Sequence, residues 1–258
     1  MPTFTRAIVR PPADTFANGL TSGALGPPDF NKACEQHEAY RHALARAGLR
    51  VTELAESRDF PDATFVEDVA VVTGSAAMLT RPGAQSRRGE VDLIRDALSQ
   101  CGLSVDEISA PATLDGGDVC DADGHFFIGL SERTNADGAE QLARWLSVNG
   151  RTSTIIDVRE LESLLHFKSG FAYLGDDTIV AGGDLSGHPA FRRYRLVPVV
   201  PEEAYASNCI RINDRVLVPA GYPRLAHALG SLGYTLELID VSEFQKMDGG
   251  LSCLSLRF

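Results

Sequence analysis

Four regions of the sequence carry side chains whose types and spacing suit covalent chemistry. Cys253 stands three residues after the pair Gly249-Gly250, within Asp248-Gly-Gly-Leu-Ser-Cys253. A thiolate is a strong nucleophile, and the glycines let a ligand approach the backbone closely. His166, in Leu164-Leu-His-Phe-Lys-Ser-Gly170, interrupts an apolar run. An imidazole there is suited to moving protons near neutral pH, although a satisfied core histidine would give the same pattern. Asp115, in Leu114-Asp-Gly-Gly-Asp118, can orient such a histidine, and an aspartate beside glycines is equally ordinary turn chemistry. The stretch Asp62-Ala-Thr-Phe-Val-Glu-Asp68 places three carboxylates around Phe65. Their repulsion is relieved either by surface solvation or by a cation, and a planar guanidinium is the cation that best matches paired carboxylates. Arg81, Arg87, Arg88 and Arg133 could hold an anionic group, though most surface arginines only solubilise.

The other four cysteines read differently. Cys34 and Cys101 fall in or at the end of expected helices, and Cys120 and Cys209 in apolar strands, where a cysteine is a small packing residue. Five cysteines with no C-x-x-C pair give neither a disulfide framework nor a structural zinc site, which points to a reducing, cytoplasmic compartment. The 258-residue chain carries 24 Lys and Arg against 35 Asp and Glu, a formal charge of −11. That balance excludes a broad basic face for nucleic acid and suits a cationic small molecule. No apolar run approaches the length of a membrane span, and the first ten residues have no signal-peptide pattern.

The elements that must bring these groups together recur along the chain. Two-stranded hairpins are expected over residues 65–83, 114–131, 170–183 and 208–220. Helical periodicity follows at 89–101, at 137–148 with Asp137 as cap, and at 223–232, with only a weak helical stretch after Ser186 in the third unit. A short strand closes each unit, at 103–108, 153–158, 195–200 and 235–241. Asp68, Asp118, Gly170, Asn208 and Gly250 mark equivalent starts 50, 52, 38 and 42 residues apart, the spacing of a repeat architecture. The last unit has a single strand at the C-terminus. The N-terminal strand near residues 4–10, a helix over 30–47 and a strand over 49–54 supply the rest of it. The expectation is one domain over residues 1–258, an α/β propeller of five strand–strand–helix–strand units in pseudo-five-fold arrangement, closed so that few strand edges are exposed. Equivalent ends of the units converge in such a ring. Glu67, Asp68, Asp115, His166 and Cys253 all lie within four positions of the unit starts.

At these residues the sequence resembles the dimethylarginine dimethylaminohydrolase family of guanidino-modifying enzymes. The matching stretches are Asn18-Gly-Leu-Thr-Ser22, Phe60-Pro-Asp-Ala-Thr-Phe-Val-Glu-Asp68, Thr80-Arg-Pro-Gly-Ala-Gln-Ser-Arg-Arg-Gly-Glu90 and Leu114-Asp-Gly-Gly-Asp118. Ser131-Glu-Arg-Thr-Asn135, His166-Phe-Lys-Ser-Gly170, Pro219-Ala-Gly-Tyr-Pro-Arg224 and Asp248-Gly-Gly-Leu-Ser-Cys-Leu-Ser255 complete the set, which spans nearly the whole chain. The resemblance implies a five-unit α/β propeller that converts Nω-methylated arginine to citrulline and an alkylamine with no metal or cofactor. It implies Cys253 as nucleophile, His166 as general acid and base, and Asp115 as the carboxylate orienting it, where some relatives carry the longer Glu. Asp62, Phe65, Glu67 and Asp68 fall on the guanidinium side, Arg87 and Arg133 on the substrate carboxylate, Leu20 on a mobile lid, and Met247 on a backbone contact to the substrate amino group. The partner is then a small methylated arginine, not nucleic acid or membrane, with a homodimer as a candidate assembly. Arginine deiminase chemistry, which releases ammonia, and simple binding of arginine derivatives are the competing readings.

Overall fold

The structure, a computed structural model, describes residues 3–161 and 164–258; Met1 and Pro2, the start of the segment read above for a leader, lie outside them. Strand β1 (Arg6–Val9) leads through helix α1 (Phe30–Arg46) to β2 (Arg50–Glu53). The hairpin of β3 (Ala70–Thr73) and β4 (Ala76–Leu79) is followed by α2 (Asp92–Gln100) and β5 (Ser104–Glu107). The hairpin of β6 (Val119–Ala122) and β7 (His125–Leu130) leads through α3 (Ala136–Val148) to β8 (Thr152–Asp157). Next come β9 (Phe171–Gly175), β10 (Thr178–Gly182) and β11 (Arg195–Val199), and then β12 (Ile210–Ile212), β13 (Arg215–Pro219), α4 (Pro223–Ser231) and β14 (Thr235–Ile239). The chain ends on β15 (Leu256–Arg257).

Five three-stranded sheets result, each with the same plan: an inner strand pairs antiparallel with a middle strand, which pairs parallel with an outer one. The C-terminal β15 lies antiparallel to β1, with Ala7 opposite Arg257, and β1 runs parallel to β2, with Arg6 opposite Arg50. The two ends of the chain therefore build one unit and close the ring, as the repeat spacing predicts. A parallel neighbour needs a crossover, and the helices provide it. Asp29 caps α1 by accepting from the Lys32 N–H at 2.9 Å, and Gly48, at φ 91°, ends that helix in the left-handed conformation that glycine adopts without strain.

One apolar cluster fills each gap between neighbouring units, and the inner strands show why their sequences are apolar on both faces. Phe171 and Tyr173 of β9 pack toward the β6 unit, while Ala172 and Leu174 pack toward the β12 unit. Alternation with period two thus serves two different cores. The inner strands surround an axial cavity of about 150 Å³, to which β3, β6, β9, β12 and β15 all contribute.

Three expectations are corrected. The third unit has no α-helix between β10 and β11; two 3-10 turns, Gly183–Gly187 and Pro189–Phe191, make the crossover, where glycine and proline break helical continuity. Helix α3 is capped by Asn135, whose side chain accepts from the Gly138 N–H at 2.9 Å, and Asp137 lies inside its first turn. The apolar run expected as a strand over residues 65–72 begins as the 3-10 turn Val66–Val69 and becomes β3 only at Ala70.

Candidate active site

A 3-10 turn precedes every inner strand: Val66–Val69, Gly116–Asp118, Phe167–Ser169, Pro201–Ser207 and Ser252–Leu254. The first four turns touch in succession around one end of the ring, the fifth touches the first, and Asn208, just after the fourth, hydrogen-bonds Ser252 on the fifth. Glu67 and Asp68 sit on the first, Asp115 and His166 immediately precede the second and third, and Cys253 sits on the fifth. Cys253 lies before the terminal strand, not in it. The strand starts at Leu256, and the turn before it lets the Gly250 N–H reach Cys253 Sγ at 3.4 Å.

His166 is buried, and its Nε2–H donates to Asp115 Oδ2 at 3.0 Å. Asp115 is in turn fixed by the Gly83 N–H, which reaches Oδ1 at 2.9 Å. Asp68 completes the group, with its ligating atom and those of Asp115 and His166 all within 4.8 Å. Burial alone pulls the imidazole pKa down, but the charge of Asp68, the hydrogen bond to Asp115 and the charge of Asp118 outweigh it and bring it to about 9. His166 is therefore an imidazolium at neutral pH. Each carboxylate of the trio already accepts from protein donors, Asp68 from Arg87 Nη1 at 2.6 Å and from the Gly117 N–H at 2.9 Å. Gly117 is required for the compactness of the trio: a Cβ there would stand 2.7 Å from both Asp68 Oδ1 and His166 Nδ1.

Cys253 packs against the apolar cluster that includes Phe65, Phe244 and Met247. Burial first, and then the Glu67 and Asp68 carboxylates, push its thiol up to about 12, against smaller help from the Gly250 N–H and the Lys168 charge. At rest it is a neutral thiol. Cys120 and Cys209, buried on the walls of the axial cavity, are likewise raised to about 12 by burial, and all five cysteines are free.

The remaining sequence candidates line the same region. Asp62 is buried and accepts from the Leu20 N–H at 3.0 and 3.2 Å, so the segment carrying the exposed Leu20 side chain is tied to it. Burial raises the Asp62 carboxyl, opposed by the charges of Arg87 and Arg133. Phe65 lies against Gly249, where a Cβ would come within 2.2 Å of its ring, and Met247 is buried in the same cluster. Glu67 Oε1 takes Lys168 Nζ at 2.7 Å and Arg257 Nη2 at 3.1 Å, while its buried Oε2 has no hydrogen-bond partner among the described residues.

The two arginines differ sharply. Arg133 is half-buried and its guanidinium makes no ion pair among the described residues. Arg87 is buried, with Nη1 on Asp68, Nη2 on Glu90 Oε2 at 2.8 Å and on the carbonyl oxygens of Asp62 and Phe65, and Nε on Glu90 at 3.1 Å. Sequence reasoning missed Glu90, Asp118, Lys168 and Arg257. Glu90 stands three residues after Arg87 and could have been found from that spacing, whereas Arg257 meets Glu67 only because the ring closes.

Comparison with known proteins gives the same assignment from sequence and from structure. A family model described as arginine deiminase matches residues 56–199. The N(G),N(G)-dimethylarginine dimethylaminohydrolase of Pseudomonas aeruginosa is 43% identical over 256 residues, covering 99% of this chain and 100% of its own. The Streptomyces coelicolor enzyme of the same name is 37% identical, covering 98% and 96%. A solved structure of the Pseudomonas protein, a cysteine-to-serine variant complexed with citrulline, matches with a TM-score of 0.97 at 41% identity over all of both chains. Another structure of a dimethylarginine dimethylaminohydrolase, a histidine-to-glycine variant in an adduct with S-methyl-L-thiocitrulline, matches at 0.96 with 42% identity, covering 99% of this chain and 100% of that one. The five-unit ring is the fold of the arginine-modifying amidinohydrolases, and the chain belongs to the dimethylarginine dimethylaminohydrolase family. Among the described residues, no helix is long and apolar enough to cross a membrane.

Proposed function

We propose that this protein hydrolyses Nω-methylated arginines, asymmetric dimethylarginine and monomethylarginine, to citrulline and an alkylamine through a covalent intermediate on Cys253. The observation that carries this reading is the grouping of Asp68, Asp115 and a protonated His166 at the end of the ring where Cys253 faces Glu67 and Asp68. A guanidinium carbon is a poor electrophile because its charge is spread over three nitrogens, so attack requires the plane to be held and the nitrogens hydrogen-bonded. Asp62, Glu67 and Asp68, beside Phe65, supply that negative surface. Arg133 and the remaining N–H of Arg87 face the substrate carboxylate, Leu20 closes over it, and the Met247 backbone takes the amino group.

The same carboxylates that keep Cys253 protonated at rest become favourable to its thiolate once a cation sits between them. Binding of the guanidinium thus ionises the nucleophile, and the thiol proton leaves to solvent. The thiolate attacks, and the C–N bond to the alkylated nitrogen breaks as the His166 imidazolium protonates the departing amine. This leaves a thiouronium on sulfur. The imidazole, now neutral, takes a proton from water; the hydroxide adds to the same carbon, and the C–S bond breaks as the hydroxyl proton leaves to solvent, returning the thiolate and releasing neutral citrulline.

The test is product analysis with asymmetric dimethylarginine, monomethylarginine and arginine. Citrulline with equimolar dimethylamine or methylamine, and little ammonia from arginine, is the expected outcome. Ammonia release from arginine at a higher kcat/KM would assign deiminase activity instead, and ligand binding without citrulline would make the protein a binder.

A further inference from the structure

Asp118 is assigned no contact with substrate above, yet its carboxylate is completely buried and ties two functional segments together. Oδ2 accepts from Ser131 Oγ and from Thr134 Oγ1, both at 2.6 Å, and Oδ1 accepts from the Phe167 N–H at 2.8 Å. Hydroxyl-to-carboxylate bonds of that length belong to the strong, charge-assisted kind. Ser131 Oγ itself accepts from the N–H groups of Arg133 and Thr134 at 3.0 and 3.1 Å, so it shapes the loop that presents Arg133. Thr134 Oγ1 accepts from the N–H of Asp115, the partner of His166. Phe167 directly follows His166, and a Cβ on Gly129 would come within 2.6 Å of Phe167 Cβ, so the turn is seated closely against β7.

We propose that Asp118 is a positioning residue that locks the loop presenting Arg133 and the turn presenting His166 into one geometry. The proposal rests on the roles assigned above to Arg133 and His166. The substrate is a flexible chain with a carboxylate at one end and the reacting carbon at the other. A fixed span between the arginine that holds one end and the imidazole that serves the other places that carbon before Cys253. A single rigid acceptor shared by both segments supplies such a span. Asp118 also adds a charge facing His166 beside those of Asp68 and Asp115, with Arg87 opposing through Asp68 and Lys168 from the same turn as His166.

The test compares the parent with Asp118→Asn, Ser131→Ala and the double variant. Kinetics are measured on asymmetric dimethylarginine and on its decarboxylated analogue, together with thermal unfolding and NMR of the His166 ring and the Arg133 amide. Ser131→Ala loosens only the arginine loop: KM for the carboxylate-bearing substrate should rise about tenfold with kcat within about twofold, and the analogue should be unaffected. Its Arg133 amide should shift while the His166 titration stays in place. Asp118→Asn should give the same selective rise in KM, lower kcat about tenfold or more, and move the His166 titration to lower pH. The double variant should have the KM of Asp118→Asn alone, because the two groups act through one bond. Equal losses on both substrates in Ser131→Ala, additive KM losses in the double variant, or an unmoved His166 titration in folded Asp118→Asn would overturn the proposal. Should Asp118→Asn not fold, the substrate selectivity of Ser131→Ala decides. A parent that makes no citrulline refutes the proposed function, and the Arg133 and His166 resonances, which need no turnover, then still decide the coupling.

Discussion

Replacing Arg87 by Ala should harm stability as well as binding, while replacing Arg133 should harm binding alone. Arg87 is buried between Asp68 and Glu90, and its Nη2 also serves two backbone carbonyls. Removing one partner of a buried ion pair typically costs about 3–5 kcal/mol, because the other charge is left without compensation. A domain of this size loses about 2–4 °C of Tm per kcal/mol, so the expected fall is about 6–20 °C. Glu90 sets where in that range it lies. Its carboxyl is raised to about 7, by burial first and by Asp62 and Asp68, against the pull of Arg87. A carboxyl whose folded pKa lies above its unfolded value destabilises the fold progressively as pH rises from the unfolded value through the folded one. Loss of the Arg87 charge raises Glu90 further, extending that decline to higher pH. The deficit of Arg87→Ala should therefore be smaller near pH 5, where chiefly the pairing with the ionised Asp68 is lost, and larger at pH 8, where Glu90 is ionised as well. Arg133→Ala should keep the parent Tm at both pH values. Its cost should be about 1.5–3 kcal/mol in the binding of substrates with a free carboxylate, and little for decarboxylated analogues. The assay is thermal unfolding by circular dichroism at pH 5, 6 and 8 beside KM for the two substrate types. A Tm for Arg87→Ala within about 2 °C of the parent at pH 8 would refute the argument, since not even 1 kcal/mol would then be involved.

Two further outcomes test the centre of the site. In the free protein Cys253 should alkylate slowly at pH 7 and faster as pH climbs toward 12, and Cys253→Ser should retain substrate binding and fold but form no citrulline; rapid alkylation at pH 7 would contradict the protonated resting thiol. Gly117→Ala should lower kcat by about a hundredfold with a modest change in Tm, because its methyl group displaces the His166 ring or the Asp68 carboxylate by a fraction of an ångström. Unchanged kcat would show that the imidazole position tolerates the shift.

The repeat and the convergence of its ends were legible because each inner strand must be apolar on both faces and each unit begins at a comparable point in the sequence. Asp68 and Asp118 lie on 3-10 turns and Gly170 directly follows one, each turn leading into an inner strand. The turns themselves were not legible. In Val66-Glu-Asp-Val69, apolar residues flank a pair of acids, a pattern that an alternating strand shares for so few residues. The third crossover shows a different limit: a few turn residues replace a helix because Gly182-Gly183 and Pro189 leave no uninterrupted helical stretch.

Sequence pattern also could not tell a committed arginine from an available one. Arg87 and Arg133 both lie just beyond hairpins, but only the folded ring brings Asp68 and Glu90 onto Arg87 while leaving Arg133 without an ion pair among the described residues. That difference follows from the charge arrangement of the site. Asp68 is used twice, once to anchor Arg87 and once to hold His166 as an imidazolium. The carboxylate that faces the proposed general acid is therefore itself kept ionised, at about 2, because the His166 and Arg87 cations outweigh the effect of its burial. If Arg87 were free to leave Asp68 for the substrate carboxylate, Asp68 would rise and the His166 pKa would fall with it, coupling substrate binding to loss of the acid. A buried Arg87 held by Asp68 and Glu90 avoids that conflict, and the proposed recognition of the distant carboxylate then falls chiefly to Arg133.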